Sequence, residues 1–574
     1  MKTNNFFYNP QAGQTKTGNY KKTFLLLLLA WFIINLIQAI FTEVLSDEAY
    51  YGLWGRYLDW GYFDHPPMVA LLTRISSLFF NGNLGIRFMT ILLQLGTIIL
   101  IWKAAGFREP DSQKVIIFFI IAFSISLFSV YGVITSPDAP LLFFTALFLF
   151  AYKQFITDFS WKSVLLLSVS MAGMVYSKYH AVLVIGFVIL SNLKLLRMYR
   201  LWCAGIFALV LLSPHFYWQF SHDFPSLRYH LIDRTEGFRW SFLLEYLPNQ
   251  MAVFNPLTLG AAVYVMIKYK PSGQFIRSLY FQIAGFILFF WLTAVTGHAE
   301  PQWTIACSIP MIIILSEKIN EDPGLLKFTR KYILPSIALL LVIRILFMTD
   351  LRFVRYLAFS GKEEKYKTLE SEAKDLPVVF NSTFPRPSLY TFFTGKEATA
   401  ISSLYSRQTQ FDIWQFEKKY HNKPAFISIN PKGNVQIYIS DSLQFGGFRT
   451  DSLQTVNRMK ISFRMNETSL SPGDSVSISF SMLNQYDYDI DFGHRQFPVE
   501  VYMAFLKGEE EYFQRASFAE PVGIVPGGDT VSGILSAVIP DLPAGKYYFG
   551  ISLSTMFGPA QNSHFVKIRI ENYD

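Results

Sequence analysis

Cysteine is almost missing from this chain: only Cys203 and Cys307 occur in 574 residues, both inside apolar runs. Two such residues cannot build a disulfide framework or a cysteine-based metal centre. No HExxH or comparable pair of ligands one helical turn apart occurs, so no metal and no other cofactor is indicated, although isolated Asp, Glu and His side chains leave a divalent ion open. A glycine-rich phosphate loop is also missing, which disfavours a soluble nucleotide-sugar donor. Charge is sparse at 16% of residues, well below the roughly 25% usual in soluble domains. There is no internal repeat and no long disordered tract. The first 20 residues are polar and the apolar run that follows has no small-residue cleavage site, so the run reads as a retained span rather than a removable signal.

What is abundant is apolar and aromatic. Hydrophobic residues make 51% of the chain and aromatics 17%, with 56 Phe and 31 Tyr. This composition predicts a polytopic helical membrane protein with aromatic belts at its interfaces. Eleven candidate spans, each about as long as a bilayer core demands, lie near 22–41, 86–104, 114–132, 138–156, 162–178, 180–197, 201–219, 250–268, 276–296, 301–316 and 331–349. The net charge of +8 does not call for a nucleic-acid partner. Lys and Arg gather in alternate loops, such as Lys21/Lys22, Lys103/Arg108/Lys114 and Lys194/Arg197/Arg200, while the loops between are poorer in them. This bias predicts a cytoplasmic tail over 1–21, and an odd number of spans then puts everything beyond 350 outside.

The pattern changes after residue 350. Segments such as LPVVFNS and PAFISIN predict a small α/β domain over 350–454, following the membrane domain at 22–349. Alternating runs such as KISFRMN, SVSISFSML and KYYFGISLS, separated by turns such as SPGD and PAGK, predict a β-sandwich over 455–574.

The topology places His65, His180, His215, His222, His230 and His298 on the outer side, with Asp47, Glu48, Asp59, Asp64, Asp138 and Glu300. Groups able to move protons therefore share one membrane face. Ser46 is a plausible N-cap for a helix reaching about Leu58, with Asp47 and Glu48 in its first turn. Tyr50, Leu53, Trp54 and Tyr57 would form one aromatic face along the membrane interface. A carboxylate among other acids at such an interface is expected to hold its proton more tightly, as a general base working near neutrality requires. Complementing the helix dipole is the simpler role for the same acids.

Further candidates follow along the chain. Pro66 and Pro67 fix a turn that holds Asp64 and His65 at its mouth, with Tyr62 beside them. In TSPDAPLLFF, Ser136 can cap, Pro137 can take the first helical position, and Asp138 opens the fourth span. Lys178, the one outer lysine before 350, sits beside His180 and invites an anionic group such as phosphate; snorkelling to the interface is the simpler alternative. Arg228 and Arg234 have the fork that fits phosphate oxygens. His298, Glu300 and Trp303 share another outer turn, where Trp303 could stack on a sugar ring.

Five of these elements, in order, resemble the membrane glycosyltransferases of the GT-C class, family 39: first-loop Asp47-Glu48, the Asp64-His65-Pro66-Pro67 turn, Pro137-Asp138-Ala139-Pro140-Leu141, Lys178, and Glu300-Pro301-Gln302-Trp303. The resemblance covers about residues 20–420, and the family includes lipid A aminoarabinose transferases and protein O-mannosyltransferases. It implies transfer of one sugar, with inversion, from a polyprenyl-phosphate carrier to a lipid, glycan or protein acceptor on the outer face of the plasma (inner) membrane. It further implies Asp47, Glu48 and Asp138 as catalytic, and Lys178, Arg234, His65 and His180 at the donor phosphate. Asp64, Tyr62, Glu300, Trp303 and His298 would line the substrate cavity. A lysine is common in the family where this chain has His65, so a charge there would depend on pH. Two readings from other classes are a transporter or flippase of lipid-linked sugars and an envelope binding or assembly protein.

Overall fold

A computed structural model describes residues 10–571 apart from 231–237, 296, 358, 405, 430–437, 441–444, 466–467 and 509. The chain forms two compact units, Met1–Lys362 and Glu363–Asp574.

The first unit is helical. Its helices are α1 (Pro10–Phe41), α2 (Ser46–Arg56), α3 (Met68–Phe79), α4 (Gly82–Ala105), α5 (Ser112–Ser124), α6 (Ser126–Val130), α7 (Asp138–Thr157), α8 (Trp161–Ser177), α9 (Ala181–Ser191), α10 (Tyr199–Ser221), α11 (Pro225–Arg228), α12 (Trp240–Phe254), α13 (Pro256–Lys268), α14 (Gly273–Thr293), α15 (Ser308–Glu321), α16 (Pro323–Phe328) and α17 (Leu334–Leu346). Among the described residues five stretches, within α1, α4, α7, α10 and α14, are long and apolar enough to cross a bilayer. They make this a multi-pass membrane protein.

Length does not confirm the count of eleven, because several expected spans are helices of 11–17 residues. At 1.5 Å per residue such helices fall short of a bilayer core of about 30 Å. The expected span over 250–268 is a bent pair: α12 and α13 meet at 98°. Asn255 has positive φ there, and its side chain accepts from the Leu257 N–H at 3.1 Å to start the second helix. The amphipathic helix α3 and the 3₁₀ turn at Pro301–Cys307 were not expected from the sequence.

Polarity is turned inside out relative to a soluble bundle. Leu25, Leu209, Val210, Leu244 and Ile267 are exposed, whereas Thr90, Gln94, Ser124 and Thr258 are buried. The buried hydroxyls pair between segments, Thr90 of α4 with Thr135 ahead of α7 at 2.7 Å and Ser124 of α5 with Thr258 of α13 at 2.8 Å, which ties elements together where lipid supplies no hydrophobic drive.

The second unit, Glu363–Asp574, is rich in strands. Strands Val378–Phe380, Ala398–Ala400 and Ala425–Ile429 pair in parallel, and Phe445–Thr450 adds antiparallel to the third. A nine-stranded sheet follows. Its burial alternates with the strand period, as in Met459–Arg464, where Met459, Ile461 and Phe463 point into the core. Leu404 N–H to the Pro559 carbonyl (2.7 Å) and Asn457 Nδ2 to the Ser402 carbonyl (2.7 Å) tie the two parts together.

Glu417 lies buried in this unit. Burial pushes its carboxyl from the ordinary 4.5 up to about 7; Arg458, 3.8 Å away, opposes the shift and Asp412 adds to it. The folded state thus binds this proton more tightly than the unfolded chain does. The associated stability is complete below about 4.5 and is lost as pH rises through about 7. Amide-exchange protection over 416–420 is expected to weaken between pH 5 and 8, by on the order of 3 kcal/mol, and Glu417→Gln to flatten the dependence.

Candidate active site

The site grows from the first turn of α2. Leu45, not Ser46, is the N-cap: it is extended, and its N–H donates to Glu48 Oε2 at 3.0 Å. Reaching back to the cap turns Glu48 inward, where it is fully buried, and leaves the neighbouring Asp47 exposed. Tyr50, Leu53 and Trp54 of α2 are buried too, so these three residues of the face expected along the interface pack into protein, while Tyr57, the C-cap, stays exposed.

Glu48 is saturated. Its Oε1 accepts from Arg87 Nε at 2.7 Å and from the Thr135 N–H at 2.9 Å; its Oε2 accepts from Arg87 Nη2 at 2.5 Å as well as from Leu45. Arg87 is equally buried and donates further to the carbonyls of Thr42 (2.5 Å) and Glu43 (3.1 Å). One ion pair thereby fixes the end of α1, the start of α2, helix α4 and the segment entering α7. A charge this deep persists only with its partner and additional hydrogen bonds.

Asp138 is the first residue of α7, with Pro137 as N-cap, one residue later than the cap expected at Ser136. Its Oδ1 accepts from Lys178 Nζ at 2.7 Å, and both residues are buried. The outer lysine therefore has a protein anion beside it. An ammonium has three N–H donors, so this bond leaves capacity for a second acceptor.

Tyr51 marks where the segments converge. Its phenol holds its proton well above the ordinary range, first because it is buried and then because Asp47, Asp64 and Asp138 all act on it. Tyr131, between α6 and α7, interacts electrostatically with Asp138, Asp47 and Glu300. Carboxylates from four separate segments thus surround two tyrosines. Neither tyrosine stood out in the sequence, because a phenol in an aromatic-rich loop carries no spacing signal.

The remaining candidates fall around this centre. Tyr62 is buried and stacks on Trp54 (4.3 Å, 5°), with its hydroxyl hydrogen-bonded to the Trp54 and Tyr57 carbonyls, so its ring braces the loop from within. Asp64 is buried, and its carbonyl meets His230 Nε2 at 2.9 Å. The His65 ring lies 6.2 Å from Tyr51 and 6.1 Å from His230. His180 packs 4.8 Å from the Trp303 ring, and His298 Nε2 is 4.0 Å from Glu300 Oε2. Arg234 lies outside the described residues.

Helix α10 clamps the loop: His215 Nδ1 meets the Trp60 carbonyl at 2.7 Å, and Trp218 donates to Asp59 Oδ2 at 2.8 Å. A Cβ on Gly61 would strike the Trp218 ring, so only glycine permits this approach. Among the described residues no group of three or more His, Cys, Asp or Glu side chains is arranged to hold a metal.

Comparison with known proteins bears on this arrangement. Residues 64–218 match the family model described as dolichyl-phosphate-mannose-protein mannosyltransferase. The ArnT structure from Cupriavidus metallidurans bound to undecaprenyl phosphate superposes with a TM-score of 0.58 at 13% identity, covering 74% of this chain and 97% of that one. The apo form of the same protein gives 0.54 over the same shares. The helical unit therefore shares the fold of these ArnT structures. The chain's similarity to the lipid A galacturonosyltransferase RgtD of Rhizobium johnstonii is 26% identity over 310 residues, and it spans 50% of this chain and 64% of that relative.

Arg87 is the side chain of this helical unit whose importance sequence reading missed. A signal existed: it is a lone arginine in the first turns of a long apolar helix, and such a charge calls for an internal anion. Nothing in the spacing indicated that the anion would be Glu48.

Proposed function

We propose that this protein is an inverting glycosyltransferase that moves one sugar from a polyprenyl-phosphate carrier to an acceptor on the outer face of the plasma membrane. The observation that carries the reading is the contrast between two adjacent carboxylates. Glu48 is saturated by four donors, while Asp47, one residue away, is exposed beside Tyr51. A general base needs an acceptor oxygen open to substrate, and Asp47 has the accessible position. The match to the mannosyltransferase model and the fold shared with a protein crystallised on undecaprenyl phosphate support the donor class.

In this mechanism Asp47 takes the proton of the acceptor hydroxyl or amine. The acceptor atom bonds to the anomeric carbon as the bond from that carbon to the phosphate oxygen breaks, and the electron pair leaves with the carrier phosphate. Lys178 stabilises the charge growing there, held in place by Asp138. Glu48 is a positioning residue acting through Arg87. The unit beyond residue 362 lies outside the cytoplasm in this topology.

Purified full-length protein in nanodiscs, given polyprenyl-phosphate sugars and an envelope lipid extract, should release free polyprenyl phosphate and form a glycosylated product detectable by mass spectrometry. Labelling of the Asp47 loop from the cytosolic side would end the proposal. Lys178→Gln is expected to lower kcat/KM for the donor about 100-fold, since it removes a cation aimed at the leaving group.

A further inference from the structure

A second buried arginine has no anion beside it among the described residues. Arg344 on α17 is 5% exposed. It donates to Asn35 Oδ1 at 2.6 Å, to Ser129 Oγ at 3.2 Å and to Gln38 Oε1, all neutral oxygens. Among the described residues no carboxylate pairs with it. A guanidinium inside a membrane bundle without a counter-charge is costly unless an acidic group reaches it from outside the chain.

There is space for one. Arg344, Gln38 and Ser129 lie on the wall of a cavity of about 470 Å³, within the range of ligand sites. The rest of the wall is mainly apolar, including Val130, Leu340 and the stacked rings of Phe347 and Phe359 (4.1 Å, 11°). Thr42 also lines it, buried and with its hydroxyl lacking a hydrogen-bond partner. A single-sign charge, an unmet hydroxyl and an apolar chamber describe a site for an amphiphile with an anionic group.

The cavity is a different place from the Lys178 side of the site. Its walls come from α1, α4, α6, α12, α17 and the 3₁₀ turn at Pro301–Cys307, whereas α8, capped by Lys178, packs on α7 and α10. Arg87 and Leu45 belong to the wall as well, so the chamber borders the Glu48 ion pair and the start of α2. A single displacement needs nucleophile and leaving group on opposite faces of the sugar. Lys178 caps α8 and Arg344 stands on α17, so each cation can serve a different substrate.

We propose that this cavity holds the acceptor, and that the acceptor is a lipid with an acidic group, phosphate or carboxylate, bound by Arg344 with its apolar body between α1, α6 and α17. The assignment to the acceptor rests on the glycosyltransferase reading; the anionic-amphiphile site itself does not. Full-length protein in phosphatidylcholine nanodiscs would be labelled with dodecyl phosphate carrying a terminal diazirine, and with the matching uncharged alcohol.

The phosphate probe should label peptides covering 126–134 and 340–359 saturably, and the alcohol should not. Arg344→Gln should cut this labelling about tenfold, Arg344→Lys should retain part of it, and Lys178→Gln should leave it unchanged. Equal labelling by the alcohol, or full labelling of a folded Arg344→Gln, would overturn the site. Loss in Lys178→Gln instead would hand the cavity to the carrier phosphate and overturn the acceptor assignment. Should Arg344→Gln not fold, the wild-type contrast between the two probes and Arg344→Lys decide. Labelling requires no turnover, so a failure of the catalytic reading would show separately, as normal transfer by Asp47→Asn.

Discussion

Asp47→Asn is expected to abolish sugar transfer, by about 100- to 10,000-fold, while leaving thermal unfolding close to wild type. The substitution preserves shape and removes the ability to accept a proton. The folding half of the expectation follows from exposure: Asp47 is exposed, whereas the neighbouring Glu48 is buried and carries the ties between α1, α2 and α4. Single-turnover assays with saturating donor check the first half, and unfolding midpoints in the same detergent check the second. Near-normal turnover would remove Asp47 from the chemistry.

The second large effect is on stability. Arg87→Ala would leave the Glu48 carboxylate buried without its cation and strip partners from the Thr42 and Glu43 carbonyls. Breaking one member of a buried pair costs about 3–5 kcal/mol, whereas replacing both members with apolar groups of similar volume is often near neutral. The expected order of unfolding midpoints is therefore wild type, then the double variant Arg87→Met with Glu48→Leu, then Arg87→Ala alone. Equal losses in the single and double variants would mean that packing, not charge, holds this corner. Activity should fall in both, because the turn presenting Asp47 is set by Glu48.

These two residues also show how far the sequence reached. The acids were legible because each stands at the end of an apolar run and composition alone separates spans from loops. Their division of labour was not. Asp47 and Glu48 are neighbours with the same chemistry, and only the inward turn of Glu48 toward Leu45 and Arg87 buries one and leaves the other exposed. Lys178 stood out as the outer lysine, yet its pairing with Asp138, 40 residues away, depends on how α7 packs against α8. The break at Asn255 was likewise invisible, since an Asn-Pro step inside an apolar run fits either a kinked span or two helices.

The chain's linear pattern settled what depends on nearest neighbours and on solvent: long runs that water rejects, loops that carry charge, and strands alternating with a period of two beyond residue 450. Tertiary structure alone settled which distant charges meet, which carboxylate stays exposed, and where a chamber forms beside an arginine that no acid pairs among the described residues. The physical reason is that solvent transfer is a property of each residue in its own run, whereas ion pairing and cavities are created only when helices remote in sequence pack together.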